Sequence, residues 1–202
     1  MKNLTLLFLL IPYFVFSQQK HFHGPPPPTS EDIRLMEKRN QCFNSHRYNA
    51  QQRRAFYPFN SAITIKLISF TVNDMPYRPL AVNDFAIDST KVKESKTLSN
   101  DGIDSLTDIL YNVGFTPIKK KLELVIDDPG RACYNPRNAV LFIDATGKVT
   151  QYIEFCFECH RYYLSSRKIK YTVNCENKYE LLKSYFLSQG IQYGTILPKG
   201  EE

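Results

Sequence analysis

Ala139-Val-Leu-Phe-Ile143, then Asp144-Ala-Thr-Gly147, then Lys148-Val-Thr-Gln-Tyr-Ile-Glu-Phe-Cys-Phe157 decide the fold. Two apolar runs flank a short polar turn whose glycine sits where positive φ is needed, and this is the pattern of a β-hairpin. With Ile143 facing Val149, paired positions sum to a constant. Ala139, Leu141, Ile143, Val149, Ile153 and Phe155 are then expected on one core face. Carried outward, that register sets Cys133 opposite Cys159 and Cys156 opposite Pro136. The central expectation is proximity: the hairpin brings Cys133 near the Cys156-x-x-Cys159 pair. Arg137 is placed to pair with Glu154 or Glu158 across the strands, Tyr134 to pack on the edge, and Phe155 and Phe157 to fall on opposite faces.

The hairpin ends in Cys156-Phe-Glu-Cys159-His160, the one recognisable chemical motif in the chain. C-x-x-C-H is the attachment form for c-type haem, with two thiols for thioether bonds and an adjacent imidazole for the iron. With Cys133 it also supplies three thiolates and an imidazole, a tetrahedral set for zinc or a soft site for copper(I). A C-x-x-C pair that opened a helix would suit thiol–disulfide exchange. The structural alternative is a disulfide among Cys133, Cys156 and Cys159 that pins the hairpin, with Cys42 and Cys175 available for another. The five cysteines are an odd set, so at least one is free, ligated or paired between chains.

Working outward, Thr29-Ser-Glu-Asp32 has capping-box form, and Ile33, Met36, Asn40 and Phe43 follow at helical spacing, giving a first helix toward residue 55 with His46 on its surface or cap. Ala62 to Val72 alternates as a strand, and Phe85 to Val92 is a weaker strand. Ser99 to Gly102 opens a helix whose Ile103, Leu106, Ile109, Leu110 and Val113 share a face, with Gly114 as a left-handed end. Lys121 to Ile126 reads as a strand stopped by the turn Asp127-Asp-Pro-Gly130. Ile169, Tyr171 and Val173 suggest a short strand. Asn174 to Asn177 caps a last helix in which Leu181, Leu182, Tyr185 and Phe186 pack inward and which Gly190 ends. These elements add up to an α+β fold: a single domain over 30–202, with a mostly antiparallel sheet, the hairpin at about 138–157 and about three packing helices.

Met1-Lys2-Asn3, the apolar run Leu4 to Phe16 and the small-residue end at Ser17 have the form of a secretory signal peptide over 1–17. That run is too short to span a membrane comfortably, and no second one follows. Gly24-Pro-Pro-Pro-Pro28 makes 18–29 a proline-rich spacer, and His21 and His23 read as part of that tail. The formal charge is +6, with its basic clusters scattered, which reads as solvated faces and not as a nucleic-acid surface. No G-x-S-x-G frame, glycine-rich phosphate loop or H-E-x-x-H occurs, so nothing argues positively for an enzyme.

Cys133-Tyr-Asn-Pro-Arg-Asn-Ala139, Phe142-Ile-Asp with Gly147-Lys148, and Glu154-Phe-Cys-Phe-Glu-Cys159 resemble a group of exported bacterial proteins of unknown function. These share a C-[YF]-x-P-R … C-F-x-C pattern, and some carry a terminal Gly-Ile-x-Tyr-Gly segment like Gly190 to Gly194. The resemblance covers about residues 99–195 most specifically. It implies an exported domain built around a three-cysteine cluster, in which the residue after the second motif cysteine need not be histidine and His160 is incidental. The sequence therefore supports an exported, soluble, non-catalytic binding or structural domain of a bacterial envelope, periplasmic or released, that takes a small ligand or envelope partner. The alternative is a metal- or haem-bearing redox protein using Cys133, Cys156, Cys159 and His160.

Overall fold

The computed structural model describes residues 27–71, 87–120, 134–170, 175 and 177–196. Their elements run α1 (Ser30–Asn40), β1 (Cys42–Asn44), α2 (Ala50–Arg54), β2 (Thr64–Phe70), β3 (Val92–Thr97), α3 (Asn100–Tyr111), β4 (Val113–Phe115), β5 (Asn138–Ile143), β6 (Val149–Cys156), β7 (Arg161–Leu164) and α4 (Lys178–Ser188). The domain is α+β. Five strands form an antiparallel sheet in the order β3-β2-β5-β6-β7, and β1 and β4 form a separate two-stranded ribbon.

One face of the large sheet packs against α3 and α4. Ile65, Leu67, Val140, Phe142, Ile153, Phe155 and Phe157 meet Leu106 and Leu110 of α3 and Tyr179, Leu182, Tyr185 and Phe186 of α4. Ile68, Phe70, Ala139, Leu141 and Val149 form a second buried cluster. Strand β5 is thus apolar on both sides, which is why Ala139–Ile143 runs continuously hydrophobic instead of alternating.

The hairpin of β5 and β6 forms as expected, with Gly147 at φ +85° and Ile143 opposite Val149. The register then slips by one between Phe142 and Ile143, so that Phe142 faces Gln151 and Asn138 faces Phe155. A single inserted residue moves every side chain beyond it to the other face. Ile153 and Phe155 therefore join Val140 and Phe142 under the helices, while Val149 stays with Ala139 and Leu141. The single face expected from the sequence is two half-faces. Phe155 and Phe157, expected on opposite sides, share one, their rings stacked with centroids 6.0 Å apart, because residues two apart in a strand point the same way.

Other boundaries differ as well. The first helix keeps its capping box at Thr29 but stops at Asn40, because Gln41 is extended and Cys42–Asn44 pairs with β4 instead. The second short helix α2 has its own capping box between Asn49 and Gln52. His46 is a turn residue at φ +46° between them, its N–H donating to Asn44 Oδ1. The edge strand β3 lies at Val92–Thr97, beyond the Phe85–Val92 stretch that suggested it. Gly114 is a β4 residue paired with Phe43, and Asn112 is the C-cap of α3. Leu181 is 40% exposed and Tyr179 takes the inward position. The expected strand at Lys121–Ile126, its turn, and Tyr171 and Val173 lie outside the described residues.

Lys178, fully buried, starts α4 on the same stripe as Leu182 and Tyr185. Its Nζ donates to the carbonyls of Leu110 (2.9 Å) and Val113 (2.8 Å), satisfying acceptors that the end of α3 leaves open. Burial pushes its pKa down from 10.5 to about 7. Between those values the unfolded chain holds a proton that the native protein does not, so stability rises with pH across this window, by at most about 1.4 kcal/mol per pH unit. Urea unfolding of wild type and Lys178→Met is the check. Wild type is expected to gain on the variant as the pH climbs from about 7 to about 9, whereas parallel curves would show that the buried lysine keeps its ordinary affinity for the proton.

Candidate functional site

The motif that the sequence singles out sits where β6 turns into β7. Cys156 ends β6 opposite Arg161, and the connection Phe157–His160 closes with His160 at φ +50°, the left-handed backbone region that a tight turn demands. The hairpin carries Glu154 into the interior with no exposed surface. The Tyr134 hydroxyl donates to its Oε2 at 3.4 Å. Burial, then the neighbouring Glu154 carboxylate and the Cys156 sulfur, push the Tyr134 phenol far up, so it remains a protonated donor. Arg137 reaches Glu158 (Nη1 to Oε1, 2.7 Å), so of the two acids expected for it, Glu158 is the partner.

The cysteines divide by state. Cys42 and Cys175 form a disulfide that spans 133 positions of sequence. Cys159 is also disulfide-bonded. Cys156 is a thiol outside any disulfide, 1% exposed. Burial raises its pKa, with backbone hydrogen bonds from Asn135 and Cys159 pulling weakly the other way, and a buried neutral thiol is a poor nucleophile and a poor ligand. His160 is exposed, and its ring stacks on Tyr179 with centroids 5.2 Å apart and planes 7° from parallel.

These states bear on the cofactor readings. A bonded Cys159 sulfur offers neither a thiolate to zinc or copper nor a thioether to haem. Among the described residues no group of three or more His, Cys, Asp or Glu is arranged to hold a metal ion; Cys133 lies outside them. A Cys133/Cys156/Cys159/His160 site would first require reduction of the Cys159 bridge.

What residue spacing missed lies around the motif. The terminal segment Ile191–Ile196 crosses the start of β5. Asn138 Nδ2 donates to the Tyr193 carbonyl (3.0 Å), and the Glu94 carboxylate accepts the N–H groups of Gln192 and Tyr193 and the Ser69 hydroxyl. The Arg137-Asn138 and Gly190–Gly194 pieces of the sequence resemblance are thereby neighbours in space. Their co-occurrence was the available signal, but nothing in it specified contact.

No protein-family model, curated protein or solved structure matches this chain. Among the described residues no helix is long and apolar enough to cross a membrane.

Proposed function

We propose that this protein is an exported, non-catalytic binding or structural domain of a bacterial envelope, held together by disulfides. The observation that carries this reading is the state of the cysteines: Cys42, Cys175 and Cys159 are disulfide-bonded, and among the described residues Cys156 is a buried thiol outside any disulfide. Stable bridges belong to oxidising compartments. Cys133, the remaining cysteine of the chain, is the partner this reading gives to Cys159. The signal-like start at residues 1–17 and the resemblance to exported bacterial proteins point the same way.

The test is the intact mass of the protein secreted from a bacterium, measured with and without reductant and followed by metal analysis. The reading expects a chain starting at Gln18, lighter than its reduced form by the hydrogens lost in each bridge, with no added mass. A persistent haem-sized increment, or stoichiometric zinc or copper, would overturn it in favour of a redox or metal protein using the C-x-x-C-H motif. Recovery of the uncleaved chain in the cytoplasm would remove export.

A further inference from the structure

Away from the cysteines, three aromatic rings enclose a cation. Lys170 Nζ lies 3.7 Å from the Phe56 ring centroid, 4.0 Å from that of Tyr48 and 6.0 Å from that of Tyr111. The walls stand nearly at right angles: Tyr48 and Phe56 meet at 89°, Phe56 and Tyr111 at 79°, each pair with centroids 5.0 Å apart. Orthogonal rings turn several negative π faces toward one point, and this arrangement recognises ammonium groups.

The box is built before anything enters it. Asn112 clamps the Tyr48 backbone from both sides, its Oδ1 accepting the Tyr48 N–H and its Nδ2 donating to the Tyr48 carbonyl, each at 2.9 Å. Buried Arg53 donates to the same carbonyl at 2.7 Å and pairs with Asp108 of α3. Phe56 follows directly on α2, and Tyr111 is the last residue of α3, backed by Phe59. All three walls thus sit on elements tied to each other, so little order is lost when a cation binds.

The present occupant fits imperfectly. A primary ammonium leans on Phe56 and Tyr48 and leaves the Tyr111 wall 6.0 Å away. A methylated ammonium is broader by its methyl shell and meets all three rings. Among the described residues no carboxylate is ion-paired with Lys170; its ammonium lies over the Phe56 and Tyr48 rings, and its presence there lowers the pKa of the Tyr48 phenol.

We propose that the Tyr48–Phe56–Tyr111 box is a binding site for small methylated ammonium compounds, and that Lys170 is its intramolecular occupant, displaced when such a compound binds. The site is independent of the cysteine cluster and goes beyond the function proposed above, so it stands or falls separately.

Tetramethylammonium is the probe, titrated against wild type, Lys170→Gln and Lys170→Gln with Tyr48→Leu, with sodium chloride at equal ionic strength as the control. Removing the competing lysine is expected to tighten binding at least about tenfold over wild type. Adding Tyr48→Leu is expected to abolish it. A cooperatively melting Lys170→Gln protein that responds to tetramethylammonium no more than to sodium would overturn the proposal, as would equal binding without Tyr48. If Lys170→Gln does not fold, the wild-type ring resonances decide. Shifts of Tyr48 and Phe56 together with a shift of the Lys170 ε-methylene support the site, and their absence refutes it.

Discussion

Replacing Cys42 and Cys175 together with alanine is expected to cost about 2–5 kcal/mol of stability, the upper end being the chain-entropy value for a loop of this size. The bridge joins positions 133 apart, and the N-terminal elements it fastens are otherwise held chiefly by polar contacts, such as Asn44 to Asp108 and Thr116 to Gln41, with little apolar burial of their own. Helix α1 has no buried residue, and β1 pairs with β4 alone in a two-stranded ribbon. Such a ribbon is marginal in water by itself. Cys175 lies just before α4, which is packed into the main core, so the disulfide moors the outlying N-terminal part to the sheet domain. Urea unfolding measures the loss, and hydrogen exchange is expected to show it first at α1, β1 and β4. Reductant alone is a less specific test because it also opens the Cys159 bridge. An unchanged midpoint in the double variant would mean that the ribbon is stable without its tether.

Gly194→Ala is the second large effect. Gly194 has φ +75° and presses on β5: an added Cβ would lie 2.5 Å from Arg137 Cβ and 2.6 Å from Asn138 Oδ1. Neither neighbour can withdraw, since a Cβ moves only with its backbone and Asn138 is fully buried at the start of β5. Left-handed strain and overpacking together are expected to cost about 2–5 kcal/mol. Gly147→Ala is the internal control. It has the same sign of φ, at +85°, but nothing within 4 Å of the added atom, so strain alone, about 1–2 kcal/mol, is expected there. Thermal melts of the two variants separate clash from strain. Equal losses would show that the terminal segment swings clear of β5 at no cost.

The parts of this fold that were legible are those written in local pattern. Gly147 between two apolar runs marked the hairpin, Ser99 and the Leu106–Leu110 spacing marked α3, and Gly190 marked the end of α4 at φ +87°. The one-residue slip between Phe142 and Ile143 leaves no sign in residue type, since an apolar run continues through it, and it divided the expected core face. The end of α1 at Asn40 is set by the pairing of Cys42–Asn44 with residues some 70 positions later, a tertiary demand that overrides a weak helical periodicity. The candidate site was half legible. C-x-x-C-H drew attention to the cysteines and the hairpin placed Cys156 at the end of β6, but which sulfurs bond depends on geometry that spacing does not contain. The aromatic box was invisible because Tyr48, Phe56, Tyr111 and Lys170 come from four separate stretches, each of which reads as an ordinary surface aromatic or cation. Lys178 could have been found: it continues the stripe of Leu182 and Tyr185 by a turn, and a lysine on the apolar face of a helix calls for acceptors.

The central claim is that the cysteines of this domain are structural and that the Cys156 thiol is buried out of reach. A peptide map of the unreduced protein, with thiols alkylated first in the native state and again after unfolding, tests it most directly. The account predicts a Cys42–Cys175 cross-link, a cross-link at Cys159, and a Cys156 that labels only after unfolding. Labelling of Cys156 in the native protein, or its recovery in a cross-link with Cys159, would contradict the account and make the C-x-x-C pair an exchanging thiol site.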